Sequence, residues 1–363
     1  MSEKTEVSRR WFLSRGAASV GYALLQPGLL GLLARGVSEI HTAARSFERS
    51  QRVQPVLDDR APDSQISYGT YPDKNLFENA LVSAELLQSN PNIVGFFAKT
   101  SRPFSYSPEL LDQINLTHQA GMVPLVSWGQ RFSSTNIDTL TEELSRIQGP
   151  FIWRPWFEMQ GNWARGKDGW YGEFSDALFI QEWRKMREKF AQKVPNAFFA
   201  FSPNSTDIAG SFEPLFPGEG WVDIVSLDAY NKHSYSILNP RHYYFPDLSA
   251  AEIIGPDLAT FQRIAPNVPF ILTEVGAINN DSFTQEAIEY VSRMSTTTGW
   301  MLFEWFKASY GWDEADWSLT TKPDLTTRIK KVLQGNQYRS SLSNGLTGES
   351  AVQYSMNRLL GKA

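Results

Sequence analysis

From about residue 64 onward, short apolar runs recur along the chain at fairly even intervals, and each closes on a cluster of polar or aromatic residues. The runs predict strands at Ile66 to Tyr68, Ile93 to Ala98, Val123 to Trp128, Phe151 to Phe157, Ala197 to Ser202, Val222 to Leu227, Phe270 to Thr273 and Met301 to Trp305. Between them, apolar positions recur at three and four, which predicts helices over Leu76 to Gln88, Glu109 to Ala120, Ile137 to Ile147, Phe179 to Lys193, Ala250 to Ile264, Thr284 to Met294 and Leu325 to Leu333. Strands alternating with helices point to the α/β class with a parallel sheet, and eight such strands to a (β/α)8 TIM barrel. The connections 161–174, 231–246 and 307–317, after the fourth, sixth and eighth strands, are long and aromatic. Long loops after strands mark the active face of such a barrel. The tail 338–363 is rich in Ser, Gly and Asn and is expected to be loosely attached or disordered.

The N-terminus follows a different pattern. Ser8, Arg9, Arg10, Trp11, Phe12 and Leu13 match the twin-arginine export signal, an adjacent Arg pair ahead of a moderately hydrophobic segment. Residues 17–34 are uncharged but rich in Gly and Ala and contain Gln26 and Pro27, so they are marginal as a membrane span. Thr42, Ala43 and Ala44 match a cleavage site only loosely, which leaves both removal of the segment and its retention as an anchor open. The organisation expected is a signal or anchor segment 1–45, a linker 46–63, a barrel domain 64–337 and the tail. The chain is expected to leave the cytoplasm folded, by the twin-arginine machinery, for the periplasm or the exterior.

Composition narrows the chemistry. A length of 363 residues, less the export segment, suits one barrel, expected to be monomeric, and 42% hydrophobic content supplies its core. The net charge of -5 and the lack of a basic stripe argue against nucleic acid as a partner. With no Cys, disulfides and thiol chemistry are excluded, and none of the 4 His has ligand spacing, so neither a metal nor another cofactor is expected. Carboxylates, hydroxyls and aromatics remain. The 12 Trp exceed ordinary core needs and suit stacking on sugar rings, although any one of them could equally be core.

Glu158 and Glu274 follow apolar runs on the fourth and seventh strands and are expected at the barrel mouth on facing parts of the ring. Glycoside cleavage needs one protonated carboxyl to assist the leaving oxygen and one ionised carboxylate at the anomeric carbon. The residues around them carry a family resemblance. Arg154, Pro155, Trp156, Phe157, Glu158, Met159, Gln160, Gly161, Asn162 and Trp163 resemble the acid/base motif of glycoside hydrolase family 26, usually Arg-Pro-x-His-Glu-Met-Asn-Gly followed by Trp. Residues 222–230 resemble the sixth strand of that family and residues 272–276 its nucleophile strand.

The resemblance implies a retaining double displacement on β-mannans, mixed-linkage β-glucans or β-xylans, with Glu158 as acid/base and Glu274 as nucleophile. It further implies that Tyr230 orients Glu274 and that Trp305 lies beneath the sugar at the cleaved position. Arg154 is a candidate to pair with a carboxylate at the floor of the site, lowering its pKa, or to anchor the core. Trp128, Trp156, Trp163, Trp170, Trp312 and Trp317 are candidate sugar platforms. Gln130 and Asn204 suit sugar hydroxyls or turns, and Asp223, Asp228, Glu304, Asp313 and Asp316 suit structural or substrate hydrogen bonds. Two positions depart from the family: Phe157 stands for His and offers no hydrogen bond to a sugar, and Gln160 stands for Asn.

Export and a long aromatic mouth favour an endo-acting β-glycanase on a matrix polymer or exopolysaccharide. A transglycosylase, or a non-catalytic polysaccharide-binding protein on the same barrel, are the alternatives. Retention predicts carboxyl groups about 5 to 5.5 Å apart, inversion a gap beyond roughly 6.5 Å.

Overall fold

Val123–Trp128 is buried at every position, as a strand covered on both faces must be, and it forms a strand over the bounds its apolar run predicts. The computed structural model describes residues 66–362 apart from 72–76, 99–107, 133–134, 232–246, 278–280, 304–305, 308–314, 317–318, 320–321, 335–345 and 347. The expected export segment and linker lie outside the described residues.

Eight parallel strands close a barrel in sequence order: β1 (Ser67–Tyr71), β2 (Ile93–Ala98), β3 (Val123–Trp128), β4 (Phe151–Pro155), β5 (Ala197–Phe201), β6 (Ile224–Asn231), β7 (Phe270–Ala277) and β8 (Thr297–Phe303), with β1 pairing back onto β8. The helices are α1 (Phe77–Leu87), α2 (Pro108–Gln119), α3 (Ile137–Leu144), α4 (Asp176–Lys193), α5 (Ala250–Ile264), α6 (Asp281–Val291), α7 (Pro323–Leu333) and α8 (Gly348–Leu359). Short helical turns at Thr206–Ala209, Glu213–Leu215 and Glu219–Trp221 join β5 to β6. The expected (β/α)8 barrel is the architecture found.

Side-chain caps fix several helix starts. Asn136 accepts from the Thr139 amide ahead of α3, Ser175 from the Leu178 amide ahead of α4, and Ser249 with Glu252 closes a capping box on α5. Outside the sheet, an aromatic cluster fills the space between β3, β4 and α4. Trp128 lies between Trp153 and Trp156, with ring centroids 5.7 and 5.6 Å away, and Phe179, Trp183 and Phe190 continue the cluster along the helix. Trp128, Trp153, Trp156, Trp183 and Trp300 are fully buried, so much of the tryptophan supply is core.

The tail departs from expectation. Residues 348–359 form α8 instead of a loose end, and Ala351, Val352, Met356 and Leu359 pack in one buried cluster with Ile93, Val123, Ile152, Ile224, Ile271 and Met301. These barrel residues stand mostly near the N-terminal ends of their strands, so α8 covers the end of the barrel away from the strand C-termini. Their spacing of three and four places them on one helix face. Removing three such side chains from water is worth about 1.5–3 kcal/mol apiece, enough to hold a helix in a polar stretch of sequence.

Candidate active site

The chain leaves β4 at Pro155, two residues earlier than its apolar run suggests, because Trp156 and Glu158 adopt left-handed backbone conformations with φ of 46° and 55°. For residues with a Cβ, such angles cost of order 1–3 kcal/mol each and persist only where the surroundings impose them. Here they do. The Trp156 amide donates to the Trp128 carbonyl at 2.7 Å, its indole Nε1 donates to the Gln130 carbonyl at 3.1 Å, and its ring stacks on Phe132 at 4.5 Å. The Glu158 amide donates to the Ser202 carbonyl at 2.7 Å, across to the end of β5. Tyr171 donates from its hydroxyl to the Phe157 carbonyl at 2.7 Å. Its ring lies where a Cβ on Gly129 would stand, 2.3 Å away, so only glycine fits after β3. This turn aims the Glu158 side chain.

Each oxygen of that carboxylate accepts a hydrogen bond. Trp163 Nε1 donates to Oε2 at 2.7 Å, and Asn204 Nδ2 donates to Oε1. The Trp163 indole can lie so close to the turn because residue 161 is glycine; a Cβ there would meet the ring at 2.5 Å. The loop holding Trp163 is folded on itself, with the Trp170 amide on the Trp163 carbonyl at 3.0 Å and the Tyr171 amide on the Ala164 carbonyl at 2.9 Å.

Glu274 is held differently. It lies within β7, which runs on to Ala277 past the end predicted at Thr273. A register shift between Leu227 and Asp228 sets Asp228 of β6 beside Glu274. Between these acids comes the guanidinium of Arg154, fully buried. Its Nη1 donates to Glu274 Oε1 at 2.5 Å and to Ser127 Oγ at 2.9 Å, its Nε to Ser202 Oγ at 2.8 Å, and its Nη2 to Asp228 Oδ2. Tyr230 donates from its hydroxyl to Glu274 Oε2.

The electrostatics follow from burial. Asp228 is fully enclosed and its carboxyl is pushed well above the usual range, chiefly by desolvation; Arg154 opposes the rise and Glu274 adds to it. One guanidinium cannot balance two buried carboxylates. Burial, then the neighbouring Glu274, pushes the Tyr230 phenol up and keeps it a donor. Tyr171 rises for the same first reason, with Glu158 the next contributor.

Of the residues that the sequence singles out, Glu274 is bound by Arg154 and Tyr230 and Glu158 by Trp163, and the two groups meet at Ser202, which accepts from Arg154 through its hydroxyl and from the Glu158 amide through its carbonyl. Phe157 lies beside it, its ring 4.6 Å from the Arg154 guanidinium carbon, with Phe97 and Trp170 at 5.6 and 6.0 Å. Trp170 is 47% exposed and has a free surface for a ligand. Trp128 and Trp156 do not: both are fully buried, which corrects their assignment as sugar platforms. Trp305, Trp312, Trp317, Glu304 and Asp313 lie outside the described residues. Asp223 is structural, bound by Arg187 at 2.9 Å and by the Phe199 amide at 2.8 Å. Sequence reasoning missed Ser127 and Ser202 and did not assign Asn204 to Glu158; polar residues late in otherwise apolar strands are the signal that points to them.

The fold and the site together define a (β/α)8 barrel that holds two glutamates in unlike environments, from the end of β4 and from within β7. Residues 131–294 match the model of glycosyl hydrolase family 26, a span that contains Arg154, Glu158, Trp163, Asn204, Asp228, Tyr230 and Glu274. The chain is 30% identical over 186 residues to the mannan endo-1,4-beta-mannosidase A and B of Caldalkalibacillus mannanilyticus, covering 48% of this chain and 33% of that protein. It thus spans about a third of that relative's length. A GH26 beta-mannanase from Bacteroides ovatus shares the fold at a TM-score of 0.52 and 15% identity, over 76% of this chain and 90% of the other. The sequence matches support glycosyl hydrolase family 26.

Proposed function

We propose that the chain is a retaining family 26 glycoside hydrolase that cleaves a β-linked polysaccharide, with Glu274 as nucleophile and Glu158 as acid/base. The observation that carries this reading is the unlike holding of the two carboxylates. Glu274 is 5% exposed and takes a charge-assisted hydrogen bond from Arg154 and another from Tyr230, which suits an anion that attacks. Glu158 is half-buried and takes hydrogen bonds from the uncharged donors Trp163 and Asn204, which suits a group that must hold and release a proton.

In the first step a Glu274 oxygen bonds to the anomeric carbon as the glycosidic C–O bond breaks, and the proton of Glu158 goes to the departing oxygen. In the second, Glu158 takes a proton from water, whose oxygen displaces Glu274 and frees the sugar. The matched relative is named for mannan, so an endo-acting enzyme on β-mannan or a related β-glycan is the substrate class favoured. Phe157 supplies a ring where the family resemblance has an imidazole, which directs recognition beside the acid/base toward apolar sugar faces.

The test is incubation of the purified protein and its Glu274→Ala variant with β-mannan, mixed-linkage β-glucan, xylan and the host's own exopolysaccharide. Release of reducing ends by the unaltered protein alone is the expected result. Binding without cleavage by the unaltered protein on all four polymers overturns the reading. Arg9 and Arg10 support export by the twin-arginine route; replacing both with Lys should leave the protein in the cytoplasm, and unimpaired export would refute that route.

A further inference from the structure

We infer that Asn204 is the positioning residue of the acid/base and that Gln160 is the latch that sets it. The inference rests on Glu158 acting as acid/base in the function proposed above. Asn204 is fully buried just past β5, where its backbone bridges to Asp228 of β6. The Ser205 amide on the Asp228 carbonyl at 2.9 Å and the Asp228 amide on the Pro203 carbonyl at 3.0 Å tie the same stretch to the sheet.

The side-chain amide turns its nitrogen toward Glu158. Nδ2 donates to Glu158 Oε1, while Oδ1 accepts from Ser205 Oγ at 3.4 Å. With Glu158 ionised, a flipped amide would set an oxygen against the carboxylate oxygen. Gln160, two residues past Glu158, closes the device: its Nε2 donates to the Asn204 carbonyl at 2.6 Å, and its Oε1 accepts from the Asn204 amide at 3.4 Å. This amide-to-backbone pair joins the turn that carries Glu158 to the strand end that carries Asn204. An Asn at 160, as in the family resemblance, is one methylene shorter and would not span both contacts from the same backbone. The departure at 160 therefore has a structural use in this chain.

The donors at the two oxygens of Glu158 come from separate elements, Asn204 beyond β5 and Trp163 in the β4 loop. Both are N–H groups that donate only, so neither takes the proton that Glu158 must deliver. They fix the carboxyl in space, which is where most of the benefit of a positioned catalytic group arises.

The role predicts a selective defect. Asn204→Ala, Gln160→Ala and Gln160→Asn are compared with the unaltered protein on the polymer found by the screen and on the dinitrophenyl β-glycoside of the same sugar. The dinitrophenolate leaves without a proton. Expected is a fall in kcat/KM of about 10- to 100-fold on the polymer for Asn204→Ala, with a smaller fall for Gln160→Ala and a partial one for Gln160→Asn. On the activated glycoside kcat/KM should stay within about threefold. The alkaline limb of the polymer profile should also move to higher pH in Asn204→Ala, because a donor that favours the carboxylate is gone. Equal losses on both substrates, or no loss on the polymer, overturn the inference alone. Should Asn204→Ala fail to fold, the Gln160→Asn comparison decides the matter by the same ratio. An unaltered protein that cleaves neither substrate overturns this inference and the proposed function together.

Discussion

Asp228 stands beside Glu274 in the register of β6 and β7, and both accept from the one buried guanidinium of Arg154. Two buried acids beside one guanidinium cannot both ionise without leaving an unbalanced negative charge, and the raised Asp228 carboxyl is the response. A carboxyl with a folded pKa above its unfolded value binds a proton more tightly when folded. Its contribution is full below the unfolded value, near pH 4, and is lost as pH rises through the folded value.

Asp228→Asn removes that titration while keeping the shape. The unfolding free energy of the unaltered protein, taken relative to Asp228→Asn in urea, should fall from about pH 4 upward. A difference that is flat above about pH 5 and falls as pH drops below about 4 would show that Arg154 outweighs burial and that Asp228 is ionised in the folded protein.

Tyr230→Phe deletes one donor from Glu274 and keeps the ring. A hydrogen bond to a charged group is worth about 1.5–3 kcal/mol, so kcat should fall roughly 10- to 100-fold. The unfolding free energy should fall by no more than about 3 kcal/mol, the worth of that bond, since the ring is still buried. Unchanged turnover would exclude Tyr230 from the orientation of Glu274.

Met356 tests the helix that the sequence conceals. Met356→Ala should cost about 2–5 kcal/mol in urea unfolding and leave KM unchanged, because α8 covers the barrel end away from Glu158 and Glu274. A loss below about 0.5 kcal/mol, the range of ordinary surface changes, would mean that α8 does not pack there in solution.

These sites also mark what is legible in the chain. The bounds of β2 and β3 follow directly from continuous apolar runs, since parallel strands bury both faces. The end of β4 does not, because the positive φ of Trp156 and Glu158 is imposed by partners on β3 and β5 and not by local preference. The carboxylate pair, Arg154 and Tyr230 are visible from motif and strand position. The bond from Asn204 to Glu158 spans 46 residues and depends on how β5 sits against the β4 turn. Trp128 illustrates the converse. Its place at a strand end suggests the mouth, yet the side chain points into the aromatic cluster with Trp153 and Trp156. α8 was hidden by composition, because Ser and Gly around it outweigh four apolar positions on one face.

Phe157→His restores the residue usual in family 26 at the cost of the ring stacked on Arg154. One regained hydrogen bond to a sugar hydroxyl is worth about 1 kcal/mol, so kcat/KM on β-mannan relative to the preferred polymer should rise roughly fivefold. An unchanged ratio would mean that residue 157 does not touch the sugar.

The central claim is double displacement by Glu274 and Glu158, and proton NMR of the first product tests it most directly. The account predicts that the unaltered protein releases the β anomer first, that the α anomer grows in only by mutarotation, and that Glu274→Ala releases neither. Initial release of the α anomer, or full activity in Glu274→Ala, would contradict it.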